Sequence, residues 1–172
     1  MTLHEAGKFC RLALQCNPTI LELLWLEGYT VITGPGEDLV NTRGAFLSAK
    51  RIRNAYYGYA TQQFARIRSR GDNSFSADTR NRTAKHARHL WRLLHQGIEL
   101  YKTGELRPRL DLLPTEAAFD FGDRVAEGDL DLAQAVLDCA TIEWDNCHCA
   151  VPQQPDEDRV TNWLRNVRRE FL

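Results

Sequence analysis

Apolar residues along this chain recur mostly at helical spacing. Phe9, Leu12, Ala13 and Cys16 fall at i, i+3, i+4 and i+7, so a first helix is predicted over 5–15. Asn17 is a good N-cap and Pro18 suits a first helical turn, so PTILELLWLEG predicts a second helix ending at Gly28. The β-branched YTVIT (29–33) predicts a short strand or extended segment, and Gly34-Pro35-Gly36 a break before a short helix or two turns over EDLVNTRGAFL. Ser48 predicts the N-cap of a long helix over 49–69, with Ile52, Tyr56, Tyr59/Ala60, Gln63 and Ile67 inward. RGDNSFSADTRN (70–81) is polar and aperiodic and predicts a mobile loop. A helix over 82–103, closed by Gly104, follows. LRPRLDLLP (106–114) predicts an extended segment, and further helices are expected over 115–127, 129–143 and 156–171. The fold class expected is mainly α: a helical bundle with one or two short strands. Residues 1–110 form a core, and 111–172 an acidic helical extension packed on it.

The helix over 82–103 has two unlike faces. At 100° per residue with Ala84 at zero, Ala87, Trp91, Leu94 and Ile98 fall between about 280° and 340°, a predicted buried stripe. Lys85, His89 and Arg92 fall at about 100°, 140° and 80°, within one sector. An ammonium, an imidazole and a guanidinium held together suit a polyphosphate: a point charge, a titratable donor and a planar fork. Arg82, one turn earlier, is added to that set. The preceding helix carries Tyr56, Tyr57, Gly58 and Tyr59. These tyrosines fit either base stacking or helix–helix packing with Gly58 at the contact.

Charge sharpens the picture. The net charge of −1 hides a segment, 50–92, with 11 Lys/Arg against 2 acidic residues, followed by 93–172 with 8 basic and 16 acidic residues. A basic segment of this kind predicts an anion-binding surface for phosphate or nucleic acid, or else basic helices neutralised by the acidic tail. No apolar run approaches a membrane span, and the N-terminus MTLHEAGKFCRLALQ does not read as a signal peptide, so a cytoplasmic protein without a membrane partner is expected. Five cysteines lack framework spacing. Cys139 with Cys147-His148-Cys149 fits one tetrahedral ion poorly, because zinc sites use pairs two to four residues apart. No protein metal site is predicted.

The strings FCRLALQCNPTILELLW (9–25), FLS (46–48), GYATQQFARI (58–67) and KHARHLWRLLHQGIELYKTGEL (85–106), in this order over about 1–110, resemble a family of predicted nucleotidyltransferases of the DNA polymerase β superfamily, common in bacteria and phages. The resemblance implies a helical part that clamps base and triphosphate beside a sheet whose carboxylates hold two metal ions. Lys85, His89 and Arg92 match the family's K-x-x-x-H-x-x-R pattern. Tyr59 and Gln63 match G-Y-A-x-x-Q, and Asn17, Pro18 and Glu22 match N-P-T-x-L-E-L-L. The expected nucleotide- or phosphate-binding set is therefore Lys85, His89, Arg92, Tyr59, Gln63 and Arg82, with Mg²⁺ arriving on a nucleoside triphosphate. The family's Gly-Ser motif and strand-borne Asp-x-Asp have no counterpart here. Asp129-Leu130-Asp131 reads as a helix start, and Asp120 and Asp123 are equally poor substitutes. No catalytic residue is assigned, and the chain reads as a binder of a nucleotide or RNA end. The alternatives are a phage-type interaction protein acting on a host protein, and a helical metal-independent ribonuclease using Arg80 with His86 or Arg88 with His95. A homo-oligomer or partner chain is expected over residues 1–33.

Overall fold

A computed structural model of the chain describes residues 5–69 and 77–171. Among them are eight α-helices and no strand. The helices are α1 (Ala6–Leu14), α2 (Pro18–Glu22), α3 (Gly34–Asn41), α4 (Ala49–Arg68), α5 (Ala77–Thr103), α6 (Leu112–Ala126), α7 (Leu130–Asn146) and α8 (Glu157–Phe171). Short 3₁₀ turns lie at Leu23–Trp25 and Arg43–Phe46. The mainly α expectation holds.

Local chemistry explains most of the boundaries. The Glu5 carboxylate accepts from the backbone N–H of Gly7 and Lys8 at 2.9 and 3.0 Å, capping α1 and holding its own pKa down. At the other end, Cys16 N–H donates to Ala13 O and Asn17 N–H to Leu12 O, a Schellman closure. Cys16 takes the left-handed position of that closure, with φ 53°, where glycine is usual. Its side chain is fully buried. Asn17 then caps α2, its Oδ1 accepting from Ile20 N–H at 3.2 Å.

Several expected boundaries shift. The second helix stops at Glu22 and tightens into the 3₁₀ turn whose Leu24 and Trp25 are buried. Residues 29–33 form no strand: a strand needs a neighbour to take its ladder hydrogen bonds, and the described residues supply none. Gly34-Pro35 opens α3 instead of breaking the chain, because a first-turn proline has no N–H to lose. The same reasoning lets Pro114 sit in the first turn of α6, so 112–114 are helical. Residues 77–81 belong to α5, and the remainder of the expected loop, 70–76, lies outside the described residues. Gly104, at φ 74°, ends α5 as expected.

The chain divides into two compact units, with boundaries inside α4 and α5. The first comprises 1–55, 99–108 and 149–172. Its core holds Leu21, Leu24, Phe46, Ile52 and Leu100. The segment after α7 is strapped down by Ala49 N–H to Pro152 O at 2.8 Å and Asp156 N–H to Ala45 O at 2.9 Å. Arg51 joins three helix ends in this unit, donating to Leu14 O at 3.0 Å and to Glu157 at 2.7 Å.

The second unit comprises 56–98 and 109–148. In it α5 buries Ala84, Ala87, Leu90, Leu93 and Leu94. Trp91, expected in the buried stripe, is only half-buried and stacks on His95 at 4.9 Å. Leu90 and Leu93 occupy the core positions instead, so the buried sector is rotated away from Trp91. The close approach of α4 to α5 is at Gly97. A Cβ there would lie 2.6 Å from Tyr56 Cβ and 2.8 Å from its Cγ. Gly58, expected at the helix contact, has nothing within 4 Å of its Cβ position.

These two glycines give opposite expectations. Gly97→Ala pushes against the root of a fully buried ring, which cannot swing aside, and should destabilise by about 1–2 kcal/mol after the gain in helix propensity. Gly58→Ala should stabilise by up to about 1 kcal/mol. Urea midpoints of the two variants measure both signs, and equal effects would place the crossing elsewhere.

Candidate anion-binding face on helices α4 and α5

Two contacts set the register of α4 against α5 within the second unit. Tyr56 meets Gly97, and seven residues on, Gln63 meets His86. Numbers rise on one helix as they fall on the other, so the pair is antiparallel. Gln63 is 5% exposed, and a buried amide requires a partner. His86 supplies it: Nδ1 donates to Gln63 Oε1 at 2.7 Å, which fixes the imidazole's tautomer.

This register brings the face together. On α5, Lys85 is exposed, while His89 and Arg92 are half-buried. His89 has its pKa pushed down from 6.5 to about 4, first by burial and then by the charges of Arg92, His86, Arg66 and Lys85. Four cationic or titratable neighbours therefore act on one imidazole, and Arg66 acts from α4. Tyr59, Gln63 and Arg66 recur at i, i+4 and i+7 along α4. Tyr59 falls between the two register contacts, at the level of the His89 and Arg92 turns, and is 37% exposed. Cations of both helices thus act on His89, and α4 also carries the accessible ring of Tyr59.

The expected site residues separate accordingly. Lys85, His89 and Arg92 share one neighbourhood. Gln63 is a buried anchor that holds His86, and Tyr59 is the exposed ring. Arg82 lies one turn earlier in a two-point pair with Asp78, Nε to Oδ1 at 3.2 Å and NH2 to Oδ2 at 2.7 Å. Both members are mostly exposed, so the pair is worth at most about 1 kcal/mol and yields readily to another anion. Neither Arg66 nor His86 was placed in this set from sequence, where His86 entered only with Arg80 in the ribonuclease alternative. The i+7 spacing from Tyr59 marked Arg66. His86, at about 200°, lies outside both the predicted buried stripe and the cationic sector, so periodicity alone gave it no place in the set.

Other candidates resolve into packing. Tyr56 is fully buried, and Tyr57 meets Trp144 edge-on at 6.2 Å, which leaves Tyr59 as the stacking candidate. Arg88 pairs with Asp123 at 2.6 Å and lies 4.2 Å over Phe119, so here the basic segment is neutralised by the acidic third of the chain. Asp129 caps α7 through Leu132 N–H at 3.0 Å and pairs with Arg124 at 2.8 Å, the helix-start role expected of it. Cys139 is exposed, Cys147 and Cys149 are half-buried, and all five cysteines are free thiols. Among the described residues no three or more His, Cys, Asp or Glu side chains converge as a metal site.

The depressed basicity of His89 has a consequence for stability. Between pH 6.5 and about 4 the unfolded chain binds a proton that the folded chain does not. The contribution from neutral His89 is therefore present above pH 6.5 and is lost as pH falls through that window. Urea unfolding of wild type and His89→Gln at pH 7 and pH 5 should show a shallower acid loss in the variant. Parallel losses would place the titrating group elsewhere.

Residues 1–121 match the family model described as the RNA repair pathway DNA polymerase beta family. No curated protein and no solved structure matches the chain.

Proposed function

We propose that this chain, which belongs to the RNA repair pathway DNA polymerase beta family, binds a nucleotide or an RNA end on the α4–α5 face. The observation that carries the reading is the placement of Lys85, His89 and Arg92 on one sector of α5, with Arg66 of α4 among the charges that act on His89. A polyphosphate is the ligand class that such a grouping of cations suits. Lys85 offers a point charge, Arg92 and Arg66 planar forks, and Tyr59 an aromatic face for a base. Gln63 acts through His86, whose orientation it fixes. A nucleoside triphosphate would bring its own Mg²⁺, which the family's polymerase chemistry uses to neutralise the leaving phosphates. The role assigned to the chain is binding. Transfer further requires carboxylates converging on metal ions, and Asp129 is committed to capping α7.

Calorimetric titration of ATP, GTP, CTP and UTP with Mg²⁺ tests this directly. Wild type should bind at least one of them. Hydrogen bonds to charged groups are worth about 1.5–3 kcal/mol each, so Lys85→Ala/Arg92→Ala should weaken binding about a hundredfold or more. Absence of binding by wild type, or unchanged binding by the double variant, would sink the reading.

Residues 1–33 carry the proposed contact with a second copy or a partner chain. Leu23 and Leu26 are each 40% exposed, Val31 81% and Ile32 38%. Apolar side chains grouped this way on one short stretch favour burial by another surface. Light scattering at high concentration should find a species larger than one chain, reduced by Val31→Asp. A strictly monomeric protein at all concentrations would count against self-association here.

A further inference from the structure

We propose that the outward face of α6 docks a basic, apolar segment of a partner protein. Leu112, Leu113 and Phe119 take its apolar side chains, and Glu116 and Asp120 take its cations. The inference uses none of the residues assigned to nucleotide and goes beyond that reading. Leu112, Leu113 and Phe119 are 73%, 76% and 51% exposed. At 100° per residue with Leu112 at zero, the buried Ala118, Phe121, Gly122 and Val125 fall between about 180° and 280°. Phe119, Leu112, Glu116, Asp120 and Leu113 fall opposite, from about 340° through zero to about 100°. Three large apolar residues and two acids therefore share the side of α6 that faces away from the core of the second unit. Apolar side chains so exposed and so close together mark a surface that another molecule covers.

The chain itself shows what this helix accepts. Arg88 reaches across from α5, with its guanidinium 4.2 Å from the centre of the Phe119 ring and its NH2 2.6 Å from Asp123 Oδ1. Its stem runs along Gly122, where a Cβ would lie 2.5 Å from Arg88 Cγ. An aromatic ring and a carboxylate of α6 thus hold one basic side chain together. Glu116 and Asp120 flank Phe119 along the helix, are exposed, and have no ion-pair partner among the described residues. They offer a further cation the same kind of seat.

The sign of these carboxylates selects the class of partner. Nucleic acid and anionic lipid would be repelled by them, and a neutral apolar surface would cover them without supplying a partner. A protein segment with lysine or arginine beside leucine-like side chains matches both the acids and the apolar ground. Exposed ion pairs are individually weak, so the leucines and the ring supply most of the affinity, and the acids supply orientation and salt dependence.

A labelled amphipathic peptide of leucine and lysine is the probe, read by fluorescence anisotropy. Its counterpart with glutamate at every lysine is the control. Wild type should bind the lysine peptide, more weakly as salt rises, and should not bind the glutamate peptide. Leu112→Asp/Leu113→Asp alters only exposed side chains, so the urea midpoint should hold while peptide binding weakens about tenfold or more. Glu116→Gln/Asp120→Asn should weaken binding about threefold or more. Asp131→Asn/Asp138→Asn removes the same charge from exposed positions of α7 and should leave binding unchanged. No binding by wild type, equal binding of the two peptides, or equal losses from the two neutralised pairs overturns the proposal. So does light scattering in which Leu112→Asp/Leu113→Asp breaks up a larger species, since a second copy of the chain would then cover this face.

Discussion

The missing Cβ of Gly97 is the constraint on which the α4–α5 face depends. Tyr56 is fully buried with its Cβ and ring root against that position. Any larger residue would force the helices apart or slide one along the other. Once Tyr56 meets Gly97, the antiparallel pairing carries Gln63 to His86, and the buried amide finds its donor. Two unlike interactions, a steric fit and a hydrogen bond, therefore agree on one register. Close packing makes that register discrete, because an intermediate offset would leave both a void and an unsatisfied amide. The placement of Arg66 near His89 follows from it.

Bringing like charges together opposes folding, so the way the fold tolerates the cluster is informative. Elsewhere the basic residues are matched: Arg51 by Glu157, Arg82 by Asp78, Arg88 by Asp123. At His89 the response is different. Burial first, and then the neighbouring charges, keep the imidazole of His89 neutral over a wider pH range than an exposed histidine. Lysine and arginine have no comparable freedom near neutral pH, and arginine has none at all.

Features governed by neighbours in sequence were legible before the structure. Asn17 as a cap, Ser48 before the long helix, Gly104 at its partner's end and Asp129 at a helix start all act within a few residues, and their chemistry is local. Lys85, His89 and Arg92 were legible as a sector for the same reason, since helical periodicity alone places them together. Features governed by packing were not. Gly58 and Gly97 look alike in sequence, and only the tertiary contact with Tyr56 distinguishes them. Trp91 is large and apolar, yet Leu90 and Leu93 claim the core because α4 approaches from their side. YTVIT has strand composition but no strand beside it. His86 needed the register of two helices before its contact with Gln63 could be assigned.

The family-like strings also divide by physical role. N-P-T-x-L-E-L-L builds a helix start and contributes the buried Ile20 and Leu21 to the first unit, a matter of folding. The strings on α4 and α5 contribute both anchors and an accessible face. Gln63 is an anchor, and Lys85 and Tyr59 are accessible. A surface shaped only for solubility mixes its signs and leaves its histidines near their ordinary basicity. At His89 burial comes first in holding the pKa down, and the charges of Arg92, His86, Arg66 and Lys85 add to it. The proposed binding is a reading of that second role, the accessible face, in which residues placed together by the α4–α5 register meet a multiply charged anion.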